Sequence, residues 1–234
     1  MSPSNFLILM ADEHNPKFLG CAGHDLVKTP NLDALAARGT RFSNAYTNSP
    51  ICVAARASLA TGRYVNEHHC WDNAIAYDGL PKSWAHKLSE TGHPVTSIGK
   101  LHYLSEDIPS GFDEQILPMH IAGGVGDLHG SVRDELPIRY QSAGMAKRVG
   151  PGETEYQEYD LNIADSACTW LSEAATRQTD KPWALFVSFI CPHFPLVAPQ
   201  KYFDMYADID IPLPKKPNDA LHQTHPWWAS FTDS

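Results

Sequence analysis

Trp183-Ala184-Leu185-Phe186-Val187-Ser188-Phe189-Ile190 is the strongest buried-strand signal in the chain, interrupted by a single polar residue. A run of this length with no polar alternation suits a parallel strand covered on both faces. It leads directly into Cys191-Pro192-His193-Phe194-Pro195, where two prolines hold a histidine stiffly. Two further segments have the same character. Phe6-Leu7-Ile8-Leu9-Met10-Ala11 ends abruptly in Asp12-Glu13, and Pro94-Val95-Thr96-Ser97-Ile98 ends in Gly99-Lys100-Leu101-His102. Between them lie helical patterns. Thr29 and Pro30 open one with Leu32, Leu35 and Ala36 as its apolar stripe and Gly39 as its stop. Ser83 to Leu88 forms another, ending at Gly92, and Asp160 is placed to cap a third whose Ile163, Ala164, Ala167, Trp170, Leu171 and Ala174 face inward. Arg41 to Tyr46 reads as a short strand. The alternation predicts an α/β fold, a mostly parallel sheet flanked by helices. Ligands of such sheets gather at the carboxyl ends of strands. Adjacent acids there, Asp12 and Glu13, suit a hard cation with oxygen ligands or, equally simply, form a solvated acidic turn.

Working outward, Ser49-Pro50-Ile51-Cys52-Val53-Ala54-Ala55-Arg56-Ala57-Ser58-Leu59-Ala60-Thr61-Gly62-Arg63 predicts a short helix beginning at Cys52. Pro50 fixes an extended approach, the alanines favour helix, and Gly62 sits where a C-cap falls. Arg56 lies one turn beyond Cys52 on the same face. The thiol is then near unpaired N–H groups, the positive end of the dipole and a guanidinium, a place for an anion and an activated nucleophile. A buried cysteine on an ordinary amphipathic helix accounts for the spacing as well.

The run Cys52-x-Ala54-x-Arg56, followed by Ser58-Leu59-Ala60-Thr61-Gly62-Arg63-Tyr64, resembles the signature of the formylglycine-dependent sulfatases of the alkaline phosphatase superfamily. The commonest form of that motif has proline where this chain has Ala54. Leu19-Gly20-Cys21-Ala22-Gly23-His24 and Lys28 to Asp33 are similar to the family's usual opening, Gly99-Lys100-Leu101-His102 to its Gly-Lys-x-His element, and Pro192-His193-Phe194-Pro195 to its Pro-His-x-Pro element. The resemblance implies that Cys52 is oxidised to formylglycine, whose hydrate is the nucleophile and which releases sulfate by returning to the aldehyde. It implies a divalent cation held by Asp12, Glu13 and residue 52, calcium first, with magnesium or manganese as alternatives. Arg56 and Lys100 would neutralise charge, Lys100 and His193 would bind sulfate or leaving-group oxygens, and His102 or His193 would handle protons near neutral pH. Asn73 stands where the family contacts substrate, although a turn residue is the plain alternative. Asp12, Cys52, Lys100 and His193 each fall at the end of a strand or the start of a helix, so the topology gathers them.

Composition limits the alternatives. With 234 residues, 43% hydrophobic and 19% charged, the chain is globular. A net charge of −9 with no basic patch argues against nucleic acid as a partner. Cysteines 21, 52, 70, 168 and 191 form no even framework, and no apolar run is long enough to span a bilayer. A cytoplasmic protein with no membrane partner is expected. His68-His69-Cys70 fits no structural zinc spacing. From about 105 to 158, repeated glycines suggest a long irregular excursion that shapes the substrate pocket, with His120 and His129 on its surface. Gly124-Val125-Gly126 is no dinucleotide fingerprint, because no strand precedes it. The family is about twice as long. The resemblance therefore implies that residues 1–234 correspond to the amino-terminal portion of the catalytic domain, with the family's further metal ligands and a second lysine expected beyond this stretch. Trp227 and Trp228 look made to pack on something outside this stretch. The expectation is a sulfuric ester hydrolase acting on a small-molecule ester, inactive as this chain alone, completed by a carboxyl-terminal half or by self-association. A phosphonate monoester or phosphodiester hydrolase of the same superfamily, and a non-catalytic fragment or binding module, are the competing readings.

Overall fold

The structure is a computed structural model that describes residues 4–128, 144, 147–177 and 181–212. His129, Trp227 and Trp228 lie outside the described residues. Among the described residues, four parallel strands form the sheet: β1 (Phe6–Met10), β2 (Val95–Lys100), β3 (Glu114–Met119) and β5 (Ala184–Ser188). Their order is β1-β5-β2-β3, so the last strand in sequence lies between the first two. β4 (Gly150–Pro151) and β6 (Val197–Ala198) make a small separate pair. The helices are α1 (Pro30–Ala37), α2 (Cys52–Thr61), α3 (Val65–His68), α4 (Trp84–Glu90), α5 (Glu155–Thr176) and α6 (Gln200–Phe203).

β2 and β5 are buried at every residue, as continuous apolar runs predict. Successive β5 side chains alternate between two layers. Leu185 and Val187 pack with Ile98 against Ile163, Ala167, Trp170 and Ala174 of α5. On the opposite face, Phe186 joins Val53, Ala57 and Ala60 of α2, Tyr77, Leu101 and Tyr103, while Ala184 and Val95 pack against Ala85 of α4. Helices on both faces of a parallel sheet are the architecture expected from the alternating pattern.

Several details differ from the sequence expectation. β1 is an edge strand among the described residues: Ile8 and Met10 pack inward, but Phe6 and Leu9 are 59% and 60% exposed. Leu32 and Leu35 of α1 are likewise exposed, and the Thr29 side chain caps none of that helix's backbone N–H groups. Its hydroxyl instead donates to Asp33 and accepts from the Gly20 N–H. Arg41 to Tyr46 contains no strand, and Phe42 and Tyr46 project into solvent. The excursion after Ser105 contains β3, whose Pro118 and polar Glu114 and Gln115 disguise a strand that, among the described residues, pairs on one side. α5 starts at Glu155 with Thr154 and Gln157 forming a reciprocal cap, so Asp160 is an interior residue and not the cap. α4 runs from Trp84 to Glu90, short of the predicted stop at Gly92, with Ser83 as its cap.

Candidate functional site

The carboxyl ends of β1, β2 and β5 meet the first turn of α2. Ile51 offers that helix no side-chain cap, and Asn73 Oδ1 accepts from the Val53 N–H at 3.0 Å instead. Asn73 therefore has a structural task in holding the helix that carries Cys52. At the other end Gly62 takes a left-handed conformation, as its position in the sequence predicts.

Arg56, only 3% exposed, is the hub. It donates to the Lys100 carbonyl at 2.5 Å, to Ser188 Oγ at 3.0 Å and to Asp12 Oδ2 at 2.9 Å. One side chain thus ties together the ends of β2, β5 and β1. Lys100 Nζ meets the same Asp12 oxygen at 2.6 Å. Burial pushes the Asp12 carboxyl up, but Lys100 and then Arg56 outweigh it and hold it below the usual carboxylate value. Two buried cations share one buried anion, leaving one formal positive charge at the tip of the sheet. Ser188 gave no signal in the sequence beyond being polar inside an apolar run.

The Cys52 thiol lies 3.8 Å from Asp12 Oδ1, toward which it donates. It is not the activated thiolate that a helix start suggested. Burial raises its pKa, Lys100 opposes that, and Asp12 adds to it. Glu13 takes a left-handed conformation at φ 59°, and its Oε1 lies 3.5 Å from His193 Nε2 on the loop after β5. Donor atoms of Glu13, Cys52 and His193 all lie within 4.8 Å of one another.

The His193 loop is anchored by a residue that the sequence reading placed elsewhere. Asp160, from the second turn of α5, accepts the Ile190 and Cys191 N–H groups, both at 2.8 Å. The signal was present as an acid one turn into a helix whose own cap was already supplied by Thr154. His102 is also at the site but does not suit proton exchange near neutrality. Burial first, then the charges of Lys100 and Arg56, push it down to about 3, so it stays neutral. Its Nδ1 is buried without a hydrogen-bond partner. His120, expected on the surface, has both ring nitrogens buried and unpaired. His68 is enclosed as a structural residue. Its Nδ1 accepts from the Cys70 N–H, and its Nε2 lies 2.8 Å from Ser58 Oγ.

For a hard cation, the described residues offer Asp12 Oδ1 and the Glu13 carboxylate, whereas Asp12 Oδ2 is occupied by two cations. Asp12 Oδ1 lies 3.8 Å from the Cys52 sulfur, and Glu13 groups with Cys52 and His193, so residue 52 is the position the two acids share, against the six to eight oxygens that calcium takes. An oxygen-bearing residue at 52 would add to the same set.

The sulfatase family profile matches residues 4–102. Choline-sulfatase of Rhizobium meliloti is 33% identical over 217 residues, covering 90% of this chain and 42% of that protein. An arylsulfatase of Clostridium perfringens is 30% identical over 238 residues, covering 90% of this chain and 47% of its own length. Among solved structures, the phosphonate monoester hydrolase of Agrobacterium radiobacter superposes with a TM-score of 0.65 at 24% identity over 90% of this chain and 45% of that one. BT4656 with its substrate D-glucosamine-2-N,6-O-disulfate also gives 0.65 at 24%, over 90% and 39%. The chain spans a little under half the length of the curated relatives it matches.

Proposed function

We propose, from the premise that the chain belongs to the sulfatase family along the stretch it shares with those relatives, that it carries the nucleophile half of a sulfuric ester hydrolase active site. The observation that carries the reading is the meeting of Cys52, Asp12, Lys100 and Arg56 at the strand ends, with the thiol 3.8 Å from the acidic tip of β1. Residue 52, matured to formylglycine, supplies a hydrated aldehyde as nucleophile. A divalent cation, calcium first, supplies Lewis acidity toward the sulfuryl oxygens when bound, and Asp12 and Glu13 are the residues that would hold it. Arg56 keeps Asp12 and the ends of three strands in register. Lys100, buried beside it, presents fixed positive charge where the transferred group becomes more anionic, without having to reorganise. His193, on its own short loop at the solvent side, exchanges the proton of the departing oxygen, and Asn73 keeps the first turn of α2 in place.

The substrate is a small-molecule sulfate ester. Free thiols at all four cysteines besides Cys52 agree with a reducing compartment, and no helix among the described residues is long and apolar enough to cross a membrane. Two measurements on the protein that carries this chain test the reading. Mass spectrometry of the Cys52 peptide is expected to show the aldehyde, and sulfate-ester hydrolysis is expected to fall at least a hundredfold in Cys52→Ala. Faster turnover of a phosphonate monoester or phosphodiester than of any sulfate ester would instead select phosphorus chemistry. Absence of both aldehyde and metal binding would make the chain a non-catalytic module.

A further inference from the structure

We infer that, while residue 52 is still a thiol, Glu13, Cys52 and His193 form an open-sided, three-ligand site for zinc. The inference needs the unoxidised cysteine and so does not rest on the sulfatase reading.

Three separate segments supply the donors: the turn after β1, the first residue of α2 and the loop after β5. Their donor atoms are mutually within 4.8 Å, and the Glu13 Oε1 to His193 Nε2 separation is 3.5 Å. Donors at zinc bond lengths of about 2.0–2.3 Å in a tetrahedron stand roughly 3.3–3.8 Å apart, so one edge is already formed and the thiol needs a shift of about 1 Å or less. A second observation points the same way. His193 Nδ1 lies 2.8 Å from the Phe194 carbonyl oxygen, which can only accept, so the ring proton belongs on Nδ1. That turns Nε2 toward the Glu13 carboxylate, a contact that a proton on Nε2 closes as an ion pair and that a metal ion would take over by displacing that proton. Fixing the far nitrogen of an imidazole on a carbonyl is also how metal-binding histidines are oriented. Asp160 keeps the loop rigid through its two bonds to Ile190 and Cys191.

The donor chemistry selects the ion. One imidazole, one thiolate and one carboxylate suit zinc, with a fourth position left for water, and suit calcium poorly. Asp12 does not complete an oxygen cage, because Arg56 and Lys100 hold its Oδ2. Access is open on the Glu13 side, whose side chain is 43% exposed. Binding releases the thiol proton to solvent as the sulfur–zinc bond forms. Conversion of the cysteine to an aldehyde would remove the soft ligand and leave oxygens, so the same position would change its metal preference.

The test uses the chain with Cys52 verified as a thiol by peptide mass. Titration with cobalt(II) is expected to give a thiolate-to-cobalt charge-transfer band that saturates at one equivalent, is displaced by zinc and is untouched by excess calcium. Zinc should protect the Cys52 peptide from iodoacetamide but not the peptides of Cys21, Cys168 or Cys191, a readout that needs no variant. His193→Gln is expected to weaken zinc binding at least ten- to a hundredfold. No thiolate band, protection at other cysteines in place of Cys52, or unchanged zinc affinity in His193→Gln would each overturn the inference. A fully oxidised residue 52 would abolish the band while satisfying the sulfatase reading, so the two can fail separately.

Discussion

Replacing Asp160 by alanine should loosen the loop that carries His193 without touching any group that meets a substrate. The carboxylate accepts two backbone N–H groups at 2.8 Å, from Ile190 and Cys191, in a half-buried setting. An N–H left without an acceptor costs about 1–3 kcal/mol when buried. Partial access to water places each nearer the lower end, giving about 2–4 kcal/mol for the pair. For a chain of this size that is a fall in melting temperature of roughly 5–15 °C. Asparagine keeps one acceptor oxygen and should lose about half as much. Urea and thermal unfolding followed by circular dichroism measure both. A second readout is local. The Cys191 thiol is pushed up to about 12, first by burial and then by its bond to Asp160 and that residue's charge. With the aspartate gone, the thiol should titrate lower and alkylate faster at a fixed alkaline pH. Stability within about 0.5 kcal/mol of the parent in Asp160→Ala, or an asparagine variant as damaged as the alanine one, would refute the reasoning.

Two further outcomes follow from the geometry. His102, held near 3 in the folded chain against about 6.5 unfolded, binds its proton more readily when unfolded, so its contribution is complete above about pH 6.5 and drains away as pH falls toward 3. It should account for up to about 3 kcal/mol of lost stability between pH 7 and 4.5. The urea midpoint of His102→Gln should therefore depend less steeply on pH than the parent's, and equal slopes would remove the argument. Gly99→Ala should cost at least about 2 kcal/mol, because a Cβ there would lie 2.3 Å from the Ser188 carbonyl oxygen at a φ of +96°. A thermal melt identical to the parent's would mean that β2 and β5 do not approach as closely as described.

What could be seen in the sequence, and what could not, divides along physical lines. β2, β5 and the Cys52 helix were legible because apolar continuity, proline and glycine act locally. The placement of Asp12, Lys100 and Cys52 was legible because strand ends in a parallel sheet converge. β1 was identified as a strand but assigned the wrong surroundings, since apolar continuity says nothing about how many neighbours pair with it. β3 was hidden because one-sided pairing tolerates Pro118 and polar residues that read as loop. The electrostatic state of the site was not legible at all. Whether Cys52 is activated or damped, and whether His102 titrates near neutrality, depends on burial and on Lys100 and Arg56, residues distant in the chain or facing from other elements. The role of Asp160 was missed for a related reason: its partners are about thirty residues away.

The sheet order has a consequence for how the chain is made. β5 is the strand that joins β1 to β2, and its pairing brings Phe6 beside Ala184, about 180 residues later. At about 5–20 residues per second, a ribosome needs roughly ten to forty seconds to reach that strand after finishing the first. Throughout that interval Phe6, Leu7 and Leu9 have no central neighbour to bind, and the open ladder of β1 is free to join another nascent chain. Contacts this distant in sequence also close slowly once synthesis is complete. Holding back that early segment until its late partner emerges is therefore a task for a chaperone, and solubility on overexpression should follow chaperone supply more closely than the stability of the finished fold.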